Sequence, residues 1–437
     1  MPDTRAFYDL LEQSQWWSTD KITAWQRQQL QPLLSHARAS SPFYKFRLNK
    51  VFRANGTIDW DRWHEIPIVK RGDVVDHFDA MVSNTPPSQH APFPEFWSSG
   101  STGHPVRIRT TKWLMDMSLA SNWRAYQWAG LDWSKTMLST TAEIPGMAIG
   151  AVVGPWGPPW LESAQQGRML YSPYHTHFPD RLRMIEEFGV SYHATTAPSA
   201  ERMAEIARAK DIHVRLDRVL VRGGAVTDLL RADLRDTFGA DVVEFYSSKE
   251  SGAIAQRCPA GHGYHVNAES MLLEVVDANG VPVALGQAGR AVITPFGSTA
   301  LPLIRYDQGD ILVAGGKCDC GRGLPLIASI SGREAGFFRA PDGRKIDREI
   351  PQDCRVLIGA GQLQVAQVGR TEFEVRYAPR DWGVPRDETK FVERFREIFF
   401  PEANVALVEM AEIPLSPAGK FLSSVVEWAP LPVDRHT

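Results

Sequence analysis

The spacing of apolar positions divides the 437-residue chain into four textures. Over the first ninety residues the spacing is mostly helical. Between Ile22 and Ala39, the residues Trp25, Leu30, Leu33, Leu34 and Ala37 fall in that register, and Ser40-Ser41-Pro42 ends the run. A turn-rich stretch, SNTPPSQHAPFPEF, then leads into Trp97. In the middle of the chain helix and strand patterns alternate. Ser199–Lys210 predicts an amphipathic helix, Arg218–Val221 a short apolar strand, Thr227–Thr237 another helix and Asp241–Tyr246 another strand. Alternation of this kind predicts βαβ units and a mostly parallel sheet. After Gly252 the runs shorten to β-rich pieces at Leu272–Val276, Gly289–Thr294 and Ile311–Ala314, with Asn279-Gly280 as a hairpin signal. A last segment mixes both patterns. Asp342-Gly343 turns a hairpin inside Phe337–Ile346, Glu372–Tyr377 alternates as a strand, and Lys390–Phe399 gathers Phe391, Phe395, Ile398 and Phe399 on one helical face. The pattern therefore predicts an α/β chain: a large domain of mixed sheets and helices over 1–333, β-rich from about 253 to 330, and a small α+β domain over 334–437.

Composition narrows the class. Hydrophobic residues make up 43% and charged residues 23%, as in an average soluble protein. A formal charge of −3 offers no footprint for nucleic acid or an anionic membrane surface. The longest weakly charged stretch, EIPGMAIGAVVGPWGPPWL from Glu143, is broken by Gly and Pro and too short in its apolar part to span a bilayer. The first residues, MPDTRAFYDLLEQSQWW, lack the apolar core of a signal peptide. The expectation is a soluble, cytoplasmic protein. Four cysteines are too few for a disulfide scaffold, yet Cys258, Cys318 and Cys320 are bunched while Cys354 stands apart.

Four stretches carry chemistry. Ser98-Ser99-Gly100-Ser101-Thr102-Gly103-His104 can wrap an anion with converging N–H groups and hydroxyls, or form an ordinary polar turn. It is not a Walker loop, because the Gly-Lys-Ser/Thr ending is missing. Glu244-Phe245-Tyr246-Ser247-Ser248-Lys249-Glu250 closes a predicted buried strand, where ligands of open α/β sheets bind. Glu250 there suits Mg²⁺ beside phosphate oxygens, or is a solvated loop acid. Asp310, in LIRYDQGD, can accept two hydrogen bonds from a ribose diol or simply shape a turn. Lys420, in LSPAGK, taken alone is an exposed lysine on a turn.

In this order and spacing the four stretches resemble the signature motifs of the adenylate-forming superfamily of acyl-CoA synthetases, most closely the phenylacetate–CoA ligase family. LLSHARASSPFYKFRL, IPIVKRGDV at Ile66–Val74 and RVLVRGGAV before the Tyr246 motif extend the resemblance over essentially the whole chain. It implies that Ser98 through Gly103, with His104, hold the ATP β- and γ-phosphates. Gly223, Gly224 and Tyr246 would frame the adenine, beside Ala225, Glu244, Phe245 and Ser247. Glu250 would bind Mg²⁺, Asp310 the ribose, and Arg333 would mark the hinge to a mobile C-terminal lid. Lys420 would approach the reacting carboxylate and α-phosphate. The implied activity is AMP-forming ligation of a carboxylic acid, aryl or small and apolar, to CoA. Transfer to an amine or a carrier-protein thiol is one alternative, and a non-catalytic zinc-stabilised nucleotide-binding relative is another. Family members are often homodimers.

The sequence departs from the family pattern at His104, where relatives usually carry Lys. It departs again at Lys249, where they carry Ser or Thr, and at Ser247, Ala225 and Ala335. Lys249 can replace the lost hydroxyl at the α-phosphate as a point charge, or mark altered chemistry.

The cysteines allow a metal. From spacing alone, Cys258, His262, His265, Cys318 and Cys320 fit four-ligand zinc or buried free thiols equally. Some members of the family carry zinc held by a C…GxH half and a CxC half, which implies a structural site at Cys258, His265, Cys318 and Cys320, with His262 as the alternative histidine. His193, after Tyr192 and before Ala194-Thr195-Thr196-Ala197-Pro198, is predicted at another strand end and is a candidate for the acyl pocket, as are Trp156 and Trp160 in the Gly/Pro-rich stretch. His175 and His177 fit a solvated loop better than a metal site.

Overall fold

Ser18 accepts a hydrogen bond from the Lys21 N–H and so starts the second of two N-terminal helices, α1 (Thr4–Ser14) and α2 (Thr19–Ser40). Ile22, Leu30, Leu33, Leu34 and Ala37 of α2 are buried as the spacing predicts, while Trp25 is half-buried and donates its indole N–H to the Glu269 carbonyl at 3.0 Å. Two short helices follow, α3 (Tyr44–Arg47) and α4 (Arg71–Met81). The computed structural model describes residues 4–97, 106–223, 226–333, 338–342, 345–346, 350, 352–380, 383–413 and 424–428. They fall into two compact units, Met1–Ser331 and Gly332–Thr437.

The larger unit begins its β-structure with a hairpin, β1 (Glu95–Trp97) and β2 (Arg107–Arg109), followed by helix α5 (Lys112–Trp128). One twelve-stranded sheet then forms among the described residues. Its first half comprises β3 (Thr136–Thr141), β4 (Val152–Pro155), β5 (Arg168–Pro173), β6 (Val190–Thr195), β7 (Arg218–Arg222) and β8 (Asp241–Ser248). The second half comprises β9 (Gly252–Arg257), β10 (Tyr264–Val266), β11 (Met271–Val276), β12 (Ala288–Pro295), β13 (Tyr306–Ala314) and β14 (Leu326–Arg333). The spatial order is β11-β12-β13-β14-β10-β9-β8-β7-β6-β3-β5-β4.

Five of these strands, in the order β5-β3-β6-β7-β8, are parallel. The chain leaves β3 toward β5, then crosses back to continue with β6, β7 and β8. The connections thus diverge between β3 and β6, and a crevice for ligands opens at the carboxyl ends of strands arranged in this way. Helices α6 (Phe178–Glu187), α7 (Ala197–Ala209) and α8 (Asp228–Phe238) pack Leu182, Met203, Leu234 and Phe238 on one face of the sheet, against Val219 and Val221. Leu220, between them, points to the other face, where Trp123 and Tyr126 of α5 pack. Each such apolar side chain contributes about 1.5–3 kcal/mol when fully buried.

His193 lies on the helix-covered face with no exposed surface, its Nε2 2.9 Å from the Thr140 hydroxyl. Burial, and secondarily the nearby Arg181 charge, push its pKa down from 6.5 to about 3. Between those two values the unfolded chain takes up a proton that the folded chain refuses, so stability is lost as pH falls through that window. We expect His193→Gln to weaken the acid dependence of the unfolding free energy, measured by denaturant titration, by on the order of 1 kcal/mol per pH unit. Profiles of identical slope for the two proteins would contradict this.

Several boundaries move. The predicted Ile311–Ala314 is only the end of β13, whose first residues pair with β12 and, at Tyr306, with Val69. Asn279-Gly280 turns tightly because the Asp277 carboxylate accepts from the Asn279 and Val281 N–H groups, but the link from β11 to β12 continues past it to 287. Arg305 adopts a left-handed φ of 52° and is fixed there by its own buried guanidinium. It bonds Glu274 through Nε and Nη2, and the carbonyls of His64, Ile66 and Gly280. This clamps the IPIVKR segment to the β-rich half.

The smaller unit has a hairpin, β15 (Phe338–Arg339) with β16 (Lys345–Ile346), and a four-stranded sheet in the order β19-β18-β17-β20. Those strands are β17 (Ala360–Gln367), β18 (Glu372–Pro379), β19 (Asn404–Glu409) and β20 (Ser424–Val426), with helices α9 (Gln352–Leu357) and α10 (Glu388–Ile398). Phe338, Phe373, Phe391, Phe395, Phe399 and Phe400 fill the core, and Cys354 is buried in it.

Candidate active site

Strands β1 and β2 hold the two ends of the Ser98–Gly103 stretch. Trp97 pairs with Arg107 and Glu95 with Arg109, and the Glu95 carboxylate accepts from Arg107 Nε at 2.7 Å and Arg109 Nε at 2.6 Å. Ser98, Ser99, Gly100, Ser101, Thr102, Gly103 and His104 themselves lie outside the described residues, as do Gly224, Ala225, Ala335 and Lys420. Lys249, in the turn that follows β8, donates from Nζ to the Trp97 carbonyl at 3.0 Å. Two stretches 152 positions apart therefore meet at the base of the hairpin.

Along β8 side chains alternate between faces. Tyr246 is buried and donates its hydroxyl to Asp310 Oδ2 at 2.7 Å, joining the second and third stretches. Glu244, on the same face, is enclosed by Arg231 at 2.8 Å, Arg257 at 3.4 Å and the Tyr264 hydroxyl at 2.5 Å. Its carboxylate thus serves an internal network. Phe245 faces the opposite side, against Tyr126. Ser247 is exposed. The Glu250 carboxylate is 8% exposed, with Arg71 Nη1 3.9 Å from Oε1. Arg71 belongs to the IPIVKRGDV segment, where the residue pattern alone marks no role for it. Gly223 directly follows β7 with φ 71°, a conformation that suits glycine. Arg333 ends β14, and its side chain is outside the description.

Of the three pocket candidates, Trp156 and His193 are buried and Trp160 is half-buried. Trp156 is buried, donates its indole N–H to the Lys135 carbonyl, and packs on Tyr126, Trp133 and Tyr192. Trp160 packs on Trp123 and Tyr8. His193 bonds Thr140, as above. His175 and His177 line a surface cleft of about 440 Å³, apart from all of these.

The bunched cysteines come together. Donor atoms of Cys258, His265, Cys318 and Cys320 all lie within 4.8 Å of one another, with Cys258 Sγ 3.5 Å from Cys318 Sγ and His265 Nε2 3.2 Å from Cys320 Sγ. His262 is exposed and outside the cluster. Three thiols and an imidazole at these spacings suit a four-coordinate zinc site, and the Leu324 carbonyl, 3.3 Å from His265 Nδ1, can orient the ring. Burial raises the Cys318 thiol to about 12. Burial opposes ionisation of Cys320 too, but hydrogen bonds centred on Arg322 and the neighbouring thiols bring it below its ordinary value. Burial likewise lowers His265 to about 4, so the imidazole is neutral, as a ligand must be. The CxC turn also grips the N-terminus. Arg322 Nε donates to Gln15 Oε1 at 3.0 Å, and a Cβ on Gly323 would lie 1.7 Å from the Trp17 carbonyl oxygen.

No protein-family model matches the chain. A phenylacetate–coenzyme A ligase from Thermus thermophilus is 26% identical over 329 residues, 72% of this chain and 71% of that protein. Among solved structures, a 2-hydroxyisobutyryl-CoA ligase with a bound acyl-AMP superimposes with a TM-score of 0.71 at 18% identity, over 92% of this chain and 88% of that one. The anthranilate CoA ligase AuaEII, bound to anthranoyl-AMP, gives 0.51 at 13% identity over 75% and 65%. The fold is that of the adenylate-forming enzymes. Within that class the chain is similar in sequence to the phenylacetate–CoA ligases. Among the described residues no helix is long and apolar enough to cross a membrane.

Proposed function

We propose that the chain is an AMP-forming acid–thiol ligase that joins a small carboxylic acid to CoA at the expense of ATP, working in the cytoplasm. The observation that supports this best is the convergence at the end of β8: Tyr246 reaches Asp310, Lys249 reaches the Trp97 carbonyl at the base of the β1–β2 hairpin, and Glu250 is buried beside Arg71. In the first half-reaction a carboxylate oxygen attacks the α-phosphorus, and the bond to the β-phosphate oxygen breaks, releasing pyrophosphate. Negative charge builds on the phosphates as it does so, and fixed cations placed there lower the barrier. Lys249 and Lys420 would supply them, and the N–H groups and hydroxyls of Ser98–Gly103 would hold the departing phosphates. Asp310 would hold the ribose and Tyr246 the adenine. A Mg²⁺ held by Glu250 and phosphate oxygens would offset charge on the pyrophosphate. In the second half-reaction the CoA sulfur attacks the acyl carbon, AMP leaves with the bonding pair, and the thiol proton passes to solvent. The unit from about Arg333 onward would be the lid that carries Lys420. Cys258, His265, Cys318 and Cys320 would hold a structural Zn²⁺.

Acid-dependent ATP–pyrophosphate exchange with a panel of aryl acids and Mg²⁺ tests the proposal, and absence of exchange with every acid would overturn it. Adding CoA, hydroxylamine or an amine then identifies the acceptor. Tyr246→Phe, which takes the hydroxyl from Asp310, is expected to raise the KM for ATP about tenfold with little effect on that for the acid, as loss of a hydrogen bond to a charged group does.

A further inference from the structure

Arg222 closes β7 and directly precedes Gly223. Its Nη2 donates to the Tyr126 hydroxyl at 2.5 Å, and its guanidinium carbon sits 5.0 Å from the centroid of the Phe245 ring. The Nε is shut off from solvent and has no acceptor. Among the described residues no carboxylate forms an ion pair with Arg222, in contrast to Arg124 with Glu269, Arg305 with Glu274 and Arg290 with Asp307. Arg181 also lacks a carboxylate there, but its guanidinium is satisfied by Ser172, Ser199 and the Pro173 and Tyr174 carbonyls. Arg222 is therefore a half-buried cation with unused donors, and leaving such a group unmatched is costly unless a ligand completes it.

Its position says which ligand. Arg222 stands at the carboxyl end of a parallel strand, where the sheet binds ligands. Phe245, its partner across the ladder, immediately precedes Tyr246, the residue bonded to Asp310. Tyr126, whose hydroxyl Arg222 bonds, packs on Phe245, Trp133 and Trp156, so the guanidinium stands at the edge of one aromatic cluster. Flat apolar walls suit a ring, and a planar guanidinium suits an oxygen acceptor on that ring.

We propose that the acid accepted here is aromatic and carries a second oxygen acceptor, a carboxylate or a phenolic oxygen, and that Arg222 is the residue that reads it. This rests on the ligase reading above and narrows its substrate. Calorimetric titration of the full chain with benzoate, the hydroxybenzoates and the benzenedicarboxylates tests it. At least one substituted acid should bind about tenfold or more tightly than benzoate, and Arg222→Met should bring the two within about twofold while ATP binding is unchanged. Arg222→Lys, which keeps a charge, should retain part of the preference. Circular dichroism melting of each variant separates this from misfolding. Absence of any preference in the wild type, equal weakening of benzoate by Arg222→Met, or a loss that falls on ATP overturns the assignment. Pyrophosphate exchange run in parallel separates the two proposals. Preference without exchange removes the adenylation reading and keeps Arg222 as the binding residue, and exchange without preference does the reverse.

Discussion

Lys420→Ala should cut acid-dependent ATP–pyrophosphate exchange by about 10²- to 10³-fold, the scale seen when one preorganised donor to developing charge is removed. Thioester formation from preformed acyl adenylate and CoA should change less than about threefold, because no phosphate charge builds in that step. Lys420 is outside the described residues, so the expectation stands on its place in LSPAGK and on the resemblance. The split between half-reactions is the informative quantity. A misfolded variant loses both, and a lysine that only binds ATP raises its KM and leaves the saturated rate intact. Equal losses in the two half-reactions would remove Lys420 from the chemistry.

Cys258→Ser and Cys320→Ser should each abolish binding of the zinc proposed for the cluster and destabilise the larger unit by several kcal/mol, enough to lower its melting temperature by many degrees. The ligands come from three separate places: the end of β9, strand β10, and the link between β13 and β14. Without the ion, no metal–ligand bond would tie these three places together. Purified wild type should contain one zinc per chain by elemental analysis, and the variants much less. Cys354→Ser, at a thiol in the other unit's core, should leave the zinc content untouched. Wild type without zinc, or variants with unchanged melting, would reduce the cluster to packed thiols.

How much the sequence disclosed depended on whether the signal was local. The helices at Ile22, Ser199 and Thr227 were legible because period and cap lie within one window, and their observed limits differ by only a few residues. The strands β3, β5 and β6 carry no comparable mark, since short runs buried on both sides lack a period to distinguish them from helix. Asp310 and Tyr246 could be named in advance because each sits in a compact stretch. The bond between them depends on strand order, which no window contains. His262 and His265 were equivalent by spacing, and only the strand pairing of Tyr264 and His265 with β9 and β14 turns the second one toward the thiols. Arg222 and Arg71 carry no signal of their own in the RVLVRGGAV and IPIVKRGDV segments. Their meaning came from what their neighbours leave unmatched or enclose.

The ties on the first helix also bear on how the protein is made. Ser14 bonds Glu269, 255 positions later, and Gln15 bonds Arg322, 307 positions later, while buried Arg124 donates both to Glu269 and to the Leu11 carbonyl. During synthesis helix α1 therefore waits for partners made some 250 to 300 positions later in the larger unit. Contacts of such long sequence separation form slowly and leave apolar surface uncovered meanwhile. During synthesis the Phe7 and Leu11 side of α1, buried in the finished protein, is a surface that a chaperone would have to shield.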